Sequence, residues 1–160
     1  MKSLVVYSSQ TGNTRKLADA VFEALTGEKE IYPVSEAPDP SGYEFIALGF
    51  WLIHGKPDPE SLEYLPKIKG KPLFLFATHG AAARSEHAMN GMNYAKDLAS
   101  GARIVGSYSC QGEVDPKIME KAREKPEPPE WFADAPVAVG HPDKSDVEEL
   151  KRLIATFAAG

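Results

Sequence analysis

A single cysteine, Cys110, in a chain of 160 residues leaves no partner for an intramolecular disulfide and excludes a zinc centre built from several thiolates. No apolar run approaches the ~18 residues of a membrane span. The first such run, Leu4 to Tyr7, is also far too short for the core of a signal peptide. An excess of basic charge is missing as well: 18 Lys and Arg stand against 23 Asp and Glu, net −5. That balance excludes the broad electrostatic footprint that nucleic acid or an anionic membrane surface requires. The expectation is therefore a protein of reducing, cytoplasmic surroundings with neither nucleic acid nor membrane as partner. The length suits one domain over residues 1–160.

The charge is unevenly spread. Residues 113–149 carry 5 basic and 11 acidic groups, a net −6, so nearly all the acidity lies late in the chain. This stretch includes a proline-rich run from Lys125 to Phe132 and reads as an irregular excursion at about 113–141. Its Trp131 and Phe132 either anchor it to the domain or face a partner protein, and a basic partner surface would be steered there.

Elsewhere, short apolar runs alternate with helical periodicity. Strands are expected at Ser3–Tyr7, Glu30–Val34, Phe45–Leu48, Pro72–Ala77 and Arg103–Tyr108. Between them, Leu17, Ala18, Val21, Phe22 and Leu25 mark one helix face, and Ala88, Met89, Met92, Ala95 and Leu98 another. Asp58-Pro59-Glu60 and Asp115-Pro116 open helices, and Asp146 to Phe157 closes the chain as an amphipathic one. This order predicts βαβ units, one parallel sheet, and helices on both faces.

The chemistry concentrates after the first strand. Ser9-Gln10-Thr11-Gly12-Asn13-Thr14 offers hydroxyls, amides and a glycine where the free N–H groups and the dipole of a helix start favour an anion. The same residue types also cap helices, so a well-capped helix start is the alternative. Gly-Lys-Ser/Thr and the three spaced glycines of a dinucleotide loop are both missing after this strand. In residue types and position this segment resembles the Ser/Thr-x-Thr-Gly-x-Thr phosphate loop of the flavodoxin family.

That resemblance covers the whole chain in element order. It implies a three-layer α/β/α sandwich whose five-stranded parallel sheet has the order 2-1-3-4-5, with FMN at the switch point. It implies an electron carrier that shuttles between redox partner proteins. The alternatives are an FMN-dependent NAD(P)H reductase acting on a quinone or similar acceptor, and a binding module that has lost FMN. The loops after strands three and four would enclose the flavin. In the first, Gly49 to Lys56, Phe50, Trp51 and Leu52 would cover the ring, with Trp51 or Phe50 stacking on it. The competing reading is that they merely lengthen the strand.

In the second, Thr78, His79 and Gly80 would hold the polar edge of the ring, and Arg84 would stand close by. Many members of the family place an aromatic residue there among carboxylates; this loop has no aromatic, and its charges are Arg84 and Glu86. His54, His79, His87, Lys56 and Arg84 would instead make the flavin mouth neutral to basic, which favours a less negative second reduction potential. They would equally suit an anionic substrate, or be ordinary polar loop residues. Cys110 reads as a small buried filler rather than a nucleophile.

Overall fold

The computed structural model describes residues 1–82 and 84–158. Six strands form β1 (Lys2–Tyr7), β2 (Glu28–Pro33), β3 (Phe45–Ile53), β4 (Lys56–Pro57), β5 (Pro72–His79) and β6 (Arg103–Gln111). Five of them pair in parallel in the order β2-β1-β3-β5-β6, and the two-residue β4 folds back antiparallel on β3. Omitting that hairpin strand gives the expected 2-1-3-4-5 order.

The sheet is covered on both sides because its strands are apolar on both faces. On one side α1 (Asn13–Ala24) and α5 (Lys144–Ala158) bring Leu17, Val21, Leu150 and Ile154 onto Val5, Ala47, Phe74 and Phe76. On the other, α2 (Pro59–Tyr64), the turn after it and α3 (Glu86–Leu98) bring Tyr64, Leu65, Ile68, Met92 and Ala95 onto Leu4, Val6, Ile46, Leu48, Leu73 and Leu75. Odd and even strand positions thus feed two separate cores. A fifth helix, α4 (Pro116–Arg123), lies in the excursion.

Three strands run past their expected ends. β3 continues through Gly49, Phe50, Trp51 and Leu52 to Ile53, because Phe50 and Trp51 pair in register with Ala77 and Thr78 of β5. β5 in turn continues through His79, opposite Gln111 of β6. Backbone pairing is indifferent to side-chain polarity, so the ladder outlasts the apolar pattern. The predicted loop after strand three shrinks to a two-residue turn. There His54 and Gly55 both have positive φ (52° and 76°), the requirement of a type I′ hairpin.

Helix α5 begins two residues earlier than expected, with an interlocked cap at its start. Asp146 N–H donates to Asp143 Oδ1 (3.0 Å), Asp143 N–H donates to Asp146 Oδ2 (2.9 Å), and His141 Nδ1 lies 2.6 Å from the same oxygen. The hydrogen bond to Asp146 holds the His141 pKa above its ordinary 6.5. Protonated His141 therefore stabilises the folded state below the unfolded value, and that contribution is lost as pH rises through the raised folded value. The stability advantage of the native chain over His141→Gln, read as a difference in Tm, should accordingly be larger at about pH 6 than at about pH 8.5. A difference independent of pH would remove His141 as a charged cap.

Among the described residues no helix is long and apolar enough to cross a membrane.

Candidate functional site

The C-terminal ends of β1, β3, β5 and β6 meet at one edge of the sheet, where βα loops gather. β1 ends at Tyr7, and Ser8 N–H donates to the Gly49 carbonyl (2.9 Å), which ties the following loop to β3. Gly12, at φ 92°, turns the chain into α1, and Gly12 N–H donates to Ser9 Oγ (3.0 Å). The first turn of α1 contains no acidic residue, so nothing on the helix opposes an anion at its start.

Two adjoining cavities open here. The smaller, about 90 Å³, is lined by Ser9, Gln10, Thr11, Asn13 and Thr14 on one side and by Thr78, His79, Gly80 and residues 112–115 on the other. The larger, about 520 Å³, shares Gln10, Trp51, Leu52, His79 and Gly80 with it and extends toward Ile53, His54 and Trp131. A polar cleft thus runs into a wider, more apolar one.

Several predicted site residues meet in this cleft, but not all in the expected way. Thr14 is buried, and its hydroxyl lies 2.9 Å from that of Thr78, so it ties α1 to β5 as well as facing the cleft. Asn13 Nδ2 donates to the Glu113 carbonyl (2.9 Å). Gly12 shapes the loop by its backbone and does not line either cavity. Trp51 and Leu52 form the wall contributed by β3.

Buried Asp58 fixes that wall. Its carboxylate accepts from Ser61 N–H (3.1 Å) and Ser61 Oγ (2.9 Å), capping α2, and sits 3.4 Å from Trp51 N. Leu52 presses on Gly91 of α3, where a Cβ would meet the leucine at 2.6 Å. Any side chain at Gly91 would force Leu52 to shift.

Three expectations need correction. Phe50 is completely buried, in the core beneath α2 and α3, and does not line the cleft. Alternation along β3 sends its ring to the face opposite that of Trp51. Arg84 is also elsewhere: it is exposed and borders a separate hollow with Cys110, His141 and Asp146. Lys56 likewise does not line the cleft, its ammonium lying over the Tyr94 ring at 5.4 Å. The lysines that do line the larger cavity are Lys121 and Lys125, and His54 and His87 line it as well. Both lysines come from the acidic segment, whose net charge concealed them.

That segment supplies a wall which the sequence pattern did not assign to the site. Gly112 N–H donates to the His79 carbonyl (2.9 Å), and Gln111 Nε2 bridges the carbonyls of Gly80 and Asp134 (both 3.1 Å). Ala82 N–H donates to Asp134 Oδ2 (3.0 Å). Trp131 and Val114 lie so close over Gly80 that a Cβ there would sit 3.3 and 3.0 Å from them. Trp131 therefore anchors the excursion to the domain and brings an aromatic face to a loop that has none of its own. The signals for this in the sequence are the aromatic pair Trp131-Phe132, one of whose two readings is an anchor, and Asp115-Pro116, which does open α4: Asp115 Oδ1 accepts from Lys117 N–H (2.8 Å).

His79 ends β5 and is 6% exposed. Burial pushes its pKa down, and nearby His87 adds to this, against the opposing hydrogen bond to the Ala81 carbonyl. Nδ1 lies 2.7 Å from that carbonyl, whereas Nε2, among the described residues, has no hydrogen-bond partner. A buried polar atom left unpaired costs about 1–3 kcal/mol. Cys110 is buried in the core beneath α1 and α5, and desolvation raises its thiol pKa far above the ordinary range, so it remains an inert, protonated filler.

These features fit FMN: hydroxyls and a helix start without an acidic residue for the phosphate, with the nearby Glu113 and Asp115 carboxylates taken up by Gly140 N–H and Lys117 N–H, an apolar wall for the ring, and a buried histidine with an unpaired ring nitrogen where the two meet. Comparison with known proteins agrees. A family model described as a flavodoxin domain matches residues 4–155. A flavodoxin-like domain-containing protein BilS of Clostridioides difficile is 33% identical over 129 residues, covering 78% of this chain and 73% of that protein. The BilS protein of Clostridium symbiosum is 29% identical over 180 residues, covering 96% and 94%. Among solved structures, oxidised flavodoxin 2 from Bacillus cereus superposes with a TM-score of 0.67 at 20% identity, covering 99% of each chain. With a family model spanning nearly its whole length and a matching strand order, the chain belongs to the flavodoxin family, whose cofactor is FMN.

Proposed function

We propose that this protein is an electron carrier that holds FMN in the cleft and passes electrons one or two at a time between redox partner proteins. The observation that supports this most is the continuity of two unlike surfaces, a hydroxyl-bearing loop at the start of α1 and the apolar wall formed by Trp51 and Leu52. Ser9, Gln10 and Thr11, with the N–H groups at the start of α1, bind the phosphate largely through neutral donors. Asn13 and Thr14 brace that loop against Glu113 and Thr78. Trp51 and Leu52 exclude water from one side of the ring, and Thr78, His79 and Gly80 line its polar edge. FMN supplies the redox chemistry when bound, and the surrounding residues set its access and potential.

A second reading, an FMN-dependent NAD(P)H reductase of a quinone or similar acceptor, draws support from Lys121 and Lys125, which give the larger cavity cations suited to an anionic reactant. Anaerobic addition of NADPH and then dithionite to the FMN-loaded protein separates the two. The carrier should keep its visible flavin absorbance in NADPH until a separate reductase or dithionite is added. Prompt bleaching by NADPH alone would establish the reductase instead. Failure to retain FMN at all would leave a cofactor-free binding module.

A further inference from the structure

We propose that His79 binds the cofactor through its side chain, as a neutral imidazole whose Nε2 accepts a hydrogen bond from a donor on FMN. The proposal rests on the reading of the cleft as an FMN site and assigns it an atom. A carbonyl can only accept, so the 2.7 Å contact with the Ala81 oxygen requires the hydrogen on Nδ1. Burial disfavours a second proton, which leaves Nε2 with a free lone pair and no hydrogen to give. That atom is shut off from solvent and has no partner among the described residues, while its side chain lines both cavities where the polar cleft meets the apolar one.

Such an atom needs a donor, and a ligand in the adjoining cavity can supply one. Oxidised FMN offers two kinds: the single ring N–H, at N3, and the hydroxyls of its ribityl chain. Neither the phosphate nor the dimethylbenzene edge can serve. The remainder of the local network is closed, since the backbone carbonyl of His79 accepts from Gly112 and that of Gly80 from Gln111. The backbone on either side of the imidazole is therefore fixed, and the Ala81 carbonyl sets the tautomer of the ring.

Three chains, native, His79→Gln and His79→Asn, test this by fluorescence titration of the apoprotein with FMN. Gln places an amide oxygen near the position of Nε2 and can still accept there. Asn keeps a donor for the Ala81 carbonyl and removes the acceptor. The expected result is FMN affinity lowered about tenfold in His79→Asn, with most of it retained in His79→Gln. N3-methyl-FMN distinguishes the two donors. If N3–H is the donor, the native protein loses affinity for the methylated probe and His79→Asn no longer separates it from FMN. If a ribityl hydroxyl is the donor, the His79→Asn defect persists with the methylated probe and disappears with lumiflavin, which lacks the ribityl chain.

A measurement on the native protein does not depend on the variants folding. Its ¹⁵N imidazole spectrum should show a protonated Nδ1 and a bare Nε2 that shifts when FMN is added. Native FMN affinity in His79→Asn, or an Nε2 that carries the hydrogen, would overturn the role of His79 while leaving FMN binding intact. An apoprotein that binds no FMN would overturn both.

Discussion

Phe50→Ala should destabilise the protein by about 3–5 kcal/mol, the usual cost of emptying a fully buried phenylalanine site. For a chain of this size that lowers Tm by roughly 6–20 °C. FMN affinity, measured on the folded protein, should stay within about twofold because the ring does not reach the cleft and only the backbone of Phe50 approaches a site residue, Thr14, at 3.5 Å. Trp51→Ala should do the opposite. Its side chain is only partly buried and forms a cleft wall, so the expected loss is about tenfold or more in FMN affinity with a much smaller change in Tm. A stable Phe50→Ala protein that had lost FMN would place Phe50 at the ring and contradict the alternation along β3.

Replacing both Thr11 and Thr14 by Ala should produce the largest effect on binding. A hydrogen bond from Thr11 to the charged phosphate contributes about 1.5–3 kcal/mol, roughly 10–10² in affinity, and the bracing lost with Thr14 adds to that. The two residues do not act alike. Thr11 is exposed at the loop tip and available to the phosphate, whereas Thr14 is buried with its hydroxyl against Thr78, so its loss also loosens the attachment of the loop to β5. Riboflavin, which lacks the phosphate, is the control. The double variant should bind riboflavin nearly as well as the native protein does and FMN far more weakly. Equal weakening of both would place the phosphate away from this loop.

The acidic excursion shows how far net charge can mislead about a site. A −6 segment suggests a negative surface for a basic partner, yet two of its five basic residues, Lys121 and Lys125, face the larger cavity. Conversely, Arg84, which chain order places beside the predicted flavin loop, borders a different hollow. Such cations sit at the ends of long flexible stems, and the course of the helix or loop that carries them decides which cavity they serve.

By itself the sequence determined the element order, the parallel sheet and the polar loop after β1. Each is written in local pattern: apolar runs short enough for covered strands, helical spacing between them, and a hydroxyl-rich turn at the junction of β1 and α1. Tertiary structure alone decided where the strands end and which way their last side chains point. Pairing with neighbours carried β3 and β5 beyond their apolar runs, and a single step of alternation then separated Phe50 in the core from Trp51 in the cleft. It also decided that the excursion turns back over Gly80, because contacts such as those of Trp131 with Gly80 and of Asp134 with Ala82 join residues about fifty positions apart. No local pattern encodes a contact of that span; it forms only once the sheet has brought both ends to the same edge.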